Sequence, residues 1–250
     1  MIASATIPTG AVTEPDQRSR GPLAPCDGWI ALGYFVVYLS YLFWRQESEF
    51  AHWATMVVLP LAIAYASLRL QTGEGNLKAA MATLGLRRGN LTRGLGWAVL
   101  AGTLITVFQV FFGGRAQAIQ ELIRTGQALW LFPLSLMLML LLAGFTEEVL
   151  FRGFLQNRLA HLLHSRWLAV LVSAFLFGLY HLPYAYFNPN WPSHGDWGAA
   201  LAAALGNGVP GGLLLGGLFV VSRGNLLACV VLHSLVNAAP AMTIIRFGSG

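Results

Sequence analysis

Long apolar stretches dominate the sequence, and charged residues cluster between them. The stretches are Trp29–Trp44, His52–Leu68, Gly94–Phe112, Ala128 to about Leu163, Trp167–Pro183, Gly198–Val221 and Leu226–Met242. A helix of about 20 apolar residues crosses the ~30 Å hydrocarbon core of a bilayer. Because the stretches are continuous rather than alternating, they predict helices and not the strands of a membrane β-barrel. The pattern therefore predicts an all-α, polytopic transmembrane bundle of about seven spans.

Two of the predicted spans have unusual features. The fourth is too long for one crossing, so its polar last turns, from about Gln156, are expected to project beyond the hydrocarbon. The sixth contains several glycines and Pro210, which predict a bent or closely packed helix.

Composition supports the membrane assignment, because 56% of the 250 residues are hydrophobic and only 10% are charged. An ordinary soluble domain carries about 25% charged residues. The net charge of +5 is explained by an excess of Lys and Arg on one side of the membrane. If the N-terminus is cytoplasmic, eleven of the fifteen Lys and Arg residues lie inside and four lie outside. The positive-inside rule then favours a cytoplasmic N-terminus and an outer C-terminus in the cell inner membrane. A nucleic-acid role has no support.

Ionisable side chains inside predicted spans carry the strongest functional signal, because burying them in a membrane is costly. They are Glu147, Glu148, Arg152, His181 and His233, and the polar Asn237 joins them. Glu148 and Arg152 are four residues apart and share a helix face, which predicts an ion pair. Glu147 points about 100° away and has no local partner, which suits a general base.

Depth in the membrane tests whether these groups can meet. Glu147 lies 18 residues before Ser165 and His181 lies 16 after it, so a hairpin of helices places them at similar depth. His233 and Asn237 are four apart and share a face. Together the groups provide a base, imidazoles and an amide donor, which suffice to activate water and stabilise an oxyanion. A lone membrane histidine is, however, often a packing residue, and Phe177 is most simply one too.

Three motifs carry a family resemblance: EExxxR at 147–152, FxxxH at 177–181 and HxxxN at 233–237. In order and spacing they resemble the CAAX protease and bacteriocin-processing family, which includes the Ras-converting endopeptidases. The resemblance covers roughly Phe132 to Pro240, and Leu84–Arg88 is similar to a segment that often precedes the core in bacterial members.

The resemblance implies an intramembrane endopeptidase of glutamate type with an intramembrane catalytic cavity. Glu147 and His181 would activate the attacking water, and His233 and Asn237 would stabilise the oxyanion. Glu148, Arg152 and Phe177 would support them. The implied substrate is a membrane-associated or C-terminal peptide, as in CAAX-box protein processing. The chain then divides into a disordered cytoplasmic tail (1–28), N-terminal helices with a cytoplasmic loop (29–127) and a catalytic core (128–250).

Two alternatives stay open. A non-proteolytic membrane protein, such as a bacteriocin-immunity factor or a transporter, can use the same groups to relay protons or bind a ligand. A zinc hydrolase can use Glu147, His181 and His233 as ligands. No cofactor is expected, because Glu148 is predicted to bind Arg152 and few acceptors then remain to orient zinc-bound imidazoles. Other intramembrane protease classes are disfavoured, since the chain has no HExxH motif and no aspartate within a predicted span.

Overall fold

The computed structural model of the chain describes residues 23–44, 49–73, 75–86 and 91–247, without the side chains of 49, 246 and 247. Nine helices form this described part. They are α1 (Pro25–Trp44), α2 (Phe50–Thr72), α3 (Leu77–Thr83), α4 (Leu91–Phe112), α5 (Ala116–Arg124), α6 (Ala128–Leu162), α7 (Arg166–Phe187), α8 (Trp197–Val221) and α9 (Leu226–Phe247). Residues 1–22 of the predicted tail lie outside the described residues.

Seven of these helices are long and apolar enough to cross a membrane, and no strand occurs in the described ranges. The predicted polytopic all-α bundle is therefore confirmed. The short helices α3 and α5 connect spans. Helix α5 is amphipathic and buries Ile119 and Leu122 against Leu131 and Met242 at one end of α6 and α9.

The first helix begins at Pro25, four residues before the predicted start of the first span. Asp27 lies in its first turn and is only 1% exposed. Its carboxylate accepts hydrogen bonds from Ser67 and from Gln71 (2.9 Å), both on α2. A buried carboxylate requires such donors, and α2 supplies them. The expectation that no aspartate lies within a span was therefore wrong, and the end of the predicted tail is helical.

Helix α6 is continuous over 35 residues, as the sequence predicted. Its polar last turns are enclosed by neighbouring helices. Gln156 donates to the carbonyl of Gly216 on α8 at 3.1 Å, and the guanidinium of Arg158 lies 4.3 Å from the ring of Phe154. These two long polar side chains are fully buried by protein.

Helices α7 and α8 cross at very short distance because both present glycines or alanines there. A Cβ atom on Gly208 would lie 2.7 Å from the Cα of Gly178, and one on Gly212 would lie 2.7 Å from the Cα of Ala174. Small residues that let helix backbones approach are typical of membrane helix interfaces. The close packing predicted from the glycines of this span is confirmed.

The segment after α3 packs against helices α6 and α9. Leu84 is buried against Gly153 of α6. Gly85 has a φ of +79°, which glycine adopts without strain. Its carbonyl accepts the backbone N–H of Leu226 at 3.0 Å. The loop before α4 thereby caps the first turn of α9, whose early N–H groups have no partner within the helix.

Substitutions on α8 test the close crossing. Gly212→Ala places its new Cβ against the backbone of α7, so we expect a loss of about 1–3 kcal/mol in stability. Gly217→Ala is the matched control, since a Cβ there meets no atom within 4 Å. Alanine also favours helix, so the control should keep or slightly raise stability. Thermal unfolding of both variants in detergent measures the difference, and equal melting temperatures would contradict the crossing.

Candidate active site

The two adjacent glutamates sit between two π-helical segments of α6, Leu140–Gly144 and Val149–Gln156. In the first segment the N–H of Phe145 bonds the carbonyl of Leu140, five residues back. Single π turns inside α-helices are frequent at functional sites. The site is therefore carried by a stretch of α6 whose backbone departs from regular helix on both sides of the glutamates.

The predicted ion pair between Glu148 and Arg152 is present. Arg152 Nη1 lies 3.0 Å from Glu148 Oε1, and both side chains are at most 1% exposed. The same guanidinium donates to the carbonyl of Gly212 at 3.3 Å and lies 4.4 Å from the ring centroid of Phe177. Arg152 thus links α6 to both α7 and α8, and the ring of Phe177 serves as its cation–π surface.

His233 completes this cluster from α9. Its Nδ1 lies 2.7 Å from Glu148 Oε1, and its Nε2 lies 3.7 Å from Glu147 Oε2. Because a carboxylate only accepts, Nδ1 carries the hydrogen in this bond. One imidazole therefore contacts both glutamates, although their side chains leave the helix in different directions. Sequence reasoning did not find the bond between His233 and Glu148.

Glu147 differs from Glu148 in its hydrogen bonds. Glu148 Oε2 is also buried without a partner, but Glu148 Oε1 accepts two bonds, whereas Glu147 forms no side-chain hydrogen bond with the described residues. The residue is 8% exposed, and Oε2 is buried without a hydrogen-bond partner among the described residues. The imidazole of His233 at 3.7 Å is beyond hydrogen-bonding distance. A buried carboxylate oxygen with an unused acceptor position calls for an explanation, and a catalytic role is one of those that native structures offer.

His181 lies beside this cluster on α7 and is half-buried. Its Nδ1 lies 2.8 Å from the carbonyl of Phe177, so Nδ1 donates and Nε2 is left for another partner. The ring packs edge-on to Phe177, 4.7 Å between centroids, and Phe177 lies 6.0 Å from the ring of His233. No hydrogen bond or ion pair joins His181 to Glu147 within the described structure, so their cooperation stays a prediction.

Asn237 lies one turn after His233 on α9 and is half-buried. Its carboxamide forms no hydrogen bond with the described residues, so its donors are free to bind another group. No hydrogen bond joins Asn237 to either glutamate within the described structure, and its predicted role as an oxyanion donor stays a prediction.

The structure places His52, at the start of α2, against α6. Its Nε2 lies 2.9 Å from Thr146 Oγ1 and 3.1 Å from the carbonyl of Leu142. Thr146 immediately precedes Glu147 in the chain. Sequence alone could not find this contact, because nothing in the pattern relates the start of α2 to the middle of α6.

The alternative of a zinc hydrolase used Glu147, His181 and His233 as ligands, because carboxylates and imidazoles bind zinc. Among residues 23–44, 49–73, 75–86 and 91–247, no group of three or more His, Cys, Asp or Glu side chains is placed to hold a metal ion. The expectation that few acceptors remain to orient the histidine rings was nevertheless wrong, because the imidazoles of His181 and His233 both bond to an acceptor. Glu148 holds His233 in addition to Arg152, and the Phe177 carbonyl holds His181.

Comparison with protein families agrees with this geometry. Residues 129–239 match the family described as Rce1-like, type II CAAX prenyl endopeptidase Rce1-like. The matched segment is just under half of the chain and contains all three motifs. This segment is therefore similar to the type II CAAX prenyl endopeptidases, in agreement with the resemblance that the three motifs carry. Searches of curated proteins and of solved structures returned no match.

Removing Arg152 tests the buried pair. Arg152→Ala leaves Glu148 with only the His233 bond among the described residues, so we expect a loss of about 3–5 kcal/mol in stability and a lower folded yield. Arg124→Ala is the matched control, because the ion pair of Arg124 with Glu121 is exposed to solvent. The charge and hydrogen bond of Glu121 raise the pKa of Arg124, yet its removal should leave thermal unfolding unchanged. Equal unfolding of both variants would exclude a stabilising role for Arg152.

Proposed function

We propose that the protein is a glutamate-type intramembrane endopeptidase in which Glu147 activates the attacking water. The observation that carries this proposal is the buried Oε2 of Glu147, which has no hydrogen-bond partner among the described residues and faces His233 Nε2 at 3.7 Å. The two orienting bonds to His233 and His181 also support it, because each fixes a ring and leaves one nitrogen for chemistry.

The charges of the cluster support a specific proton arrangement. Glu147, Glu148 and Arg152 together carry one net negative charge, which is unfavourable in a poorly solvated site. One further proton makes the cluster neutral, and His233 is the group between the two carboxylates. With His233 as imidazolium, Nδ1 donates to Glu148 and Nε2 becomes a second donor. Such a donor suits the proposed stabilisation of an oxyanion.

The reaction then proceeds in two proton transfers. Glu147 takes a proton from water, and the oxygen attacks the carbonyl carbon of the scissile peptide to give a tetrahedral oxyanion. His181 Nε2 orients the water, while His233 and Asn237 donate to the oxyanion. Collapse breaks the C–N bond, and Glu147 returns its proton to the leaving amine. Phe177 supports these groups by packing against Arg152 and His181.

The proposed substrate is a membrane-associated peptide cleaved near its C-terminus, because the matched family is described as a CAAX prenyl endopeptidase. The protein would act within the bilayer, with the N-terminus cytoplasmic and the C-terminus outside. The competing proposal of a non-proteolytic immunity factor or transporter makes the opposite prediction for cleavage of any peptide.

Replacing Glu147 tests the central assignment. Glu147→Gln is nearly isosteric and removes no hydrogen bond to described residues, so the variant should fold as the wild type does. It cannot take a proton from water, and removal of a general base lowers turnover by about 10²–10⁴. Cleavage of a tagged CAAX-type peptide in proteoliposomes, followed by mass spectrometry, measures it. Glu121→Gln, on exposed α5, is the control. Full activity of Glu147→Gln would overturn the proposal.

Metal dependence is tested separately. We expect purified active protein to contain no stoichiometric zinc and to keep its activity after prolonged treatment with a strong chelator, since Glu147 itself accepts the proton. Elemental analysis and chelator titration against the same peptide check this. Inactivation that added zinc reverses, with metal loss in His181→Ala, would replace the glutamate mechanism by a metal-dependent one.

A further inference from the structure

The start of α2 contacts α6 directly before the candidate base. His52 Nε2 lies within hydrogen-bonding distance of the Leu142 carbonyl and of Thr146 Oγ1, at 3.1 and 2.9 Å. Thr146 donates its own hydroxyl hydrogen to the Leu142 carbonyl at 2.7 Å. Because the carbonyl only accepts and the hydroxyl hydrogen is already used, His52 Nε2 must carry a hydrogen and donate it.

The Leu142 carbonyl belongs to the π-helical segment Leu140–Gly144, and Thr146 lies in the α-helical turn Phe145–Glu148 that follows it. π-Helical segments are rare, so a neighbouring group that binds their backbone carbonyls helps to hold them. The next residue of α2 adds a second contact, since Trp53 stacks on Phe145 with 5.7 Å between ring centroids. Two consecutive residues of α2 therefore hold two consecutive residues of α6, and the next residue of α6 is Glu147.

The two glutamates depend on this contact to different degrees. Glu148 is held through its own side chain, by Arg152 and by His233. Glu147 has no such hydrogen bond, so the direction of its carboxylate follows the orientation of the backbone turn that carries it. A small rotation of that turn about the α6 axis would move Glu147 away from His233 and from the peptide.

We propose that His52 is a positioning residue for Glu147, which acts by holding the junction between the π-helical segment Leu140–Gly144 and the turn Phe145–Glu148 of α6. The inference rests on the proposed function, but His52 itself touches neither the substrate nor the reacting atoms. Its role requires a hydrogen on Nε2 and a ring or amide of similar reach. It does not require a charge on His52.

Substitution of His52 separates donation from simple packing. His52→Leu fills the space without a donor, and we expect kcat to fall about 10–100-fold with KM nearly unchanged, since misplacement of about 1 Å costs on that order. His52→Gln places an amide N–H near the position of Nε2 and should restore kcat to within a few-fold of wild type. His194→Leu, at an exposed histidine of the loop between α7 and α8, is the control. A wild-type kcat in His52→Leu would overturn the proposal. A kcat of His52→Gln no higher than that of His52→Leu would overturn it too.

A double-mutant cycle with Thr146→Val tests the same bond from the other helix. Valine keeps the shape of threonine and removes the hydroxyl, so we expect a lower kcat at similar KM. Because the two groups act together, His52→Leu/Thr146→Val should be little worse than the worse single variant. Fully additive losses would contradict a shared role. If His52→Leu does not fold, Thr146→Val alone tests the bond, and wild-type kcat in that variant would overturn the proposal.

The contact also has a signature independent of activity. Solid-state NMR of the ¹⁵N-histidine protein in bilayers should show a protonated His52 Nε2, assigned by its loss in His52→Gln, and its resonance should shift in Thr146→Val. An unchanged resonance would overturn the inference even if wild-type protein cleaves peptides. Conversely, wild-type protein that cleaves no peptide, with the NMR shift present, would contradict the proposed function while supporting the contact.

Discussion

The geometry of the site depends on one buried carboxylate. Glu148 Oε1 accepts a hydrogen bond from Arg152 of its own helix and another from His233 of α9. Arg152 in turn donates to the backbone of α8. Glu148 Oε1 thus joins α6 to α9 directly and to α8 through Arg152. A charge with no solvent around it tolerates little movement of its partners, so Glu148 fixes α6, α8 and α9 relative to one another.

The close crossing of α7 and α8 makes this arrangement possible. Gly212 contributes both a missing side chain, which admits Ala174, and a carbonyl, which Arg152 reaches. A larger residue there would push the helices apart and withdraw the acceptor at the same time. The Phe177 ring, which contacts Arg152, His181 and His233, then fills the space between the motif helices. Packing and electrostatics in this region are therefore not separable.

Local sequence patterns predicted the membrane spans and the contacts within one helix, but they did not predict the contacts between helices. The spans follow from apolar length, and the Glu148–Arg152 pair follows from helical spacing. The bond from His233 to Glu148 joins residues 85 apart, and that from His52 to Thr146 joins residues 94 apart. Such contacts depend on how helices pack, which periodicity does not encode. The π turns of α6 had no sequence signal either. Asp27 was missed because a single acidic residue before an apolar stretch resembles the end of a membrane span.

The bond between Gly85 and Leu226 bears on how the chain is organised as a folding unit. Family similarity begins at residue 129. The first turn of α9 is nevertheless capped by Gly85, which lies more than forty residues before that start. The motif helices by themselves would present an open helix end and an uncovered Gly153. The start of the family match is thus a boundary of sequence similarity only, because residues before it contact and cap the helices that carry the three motifs.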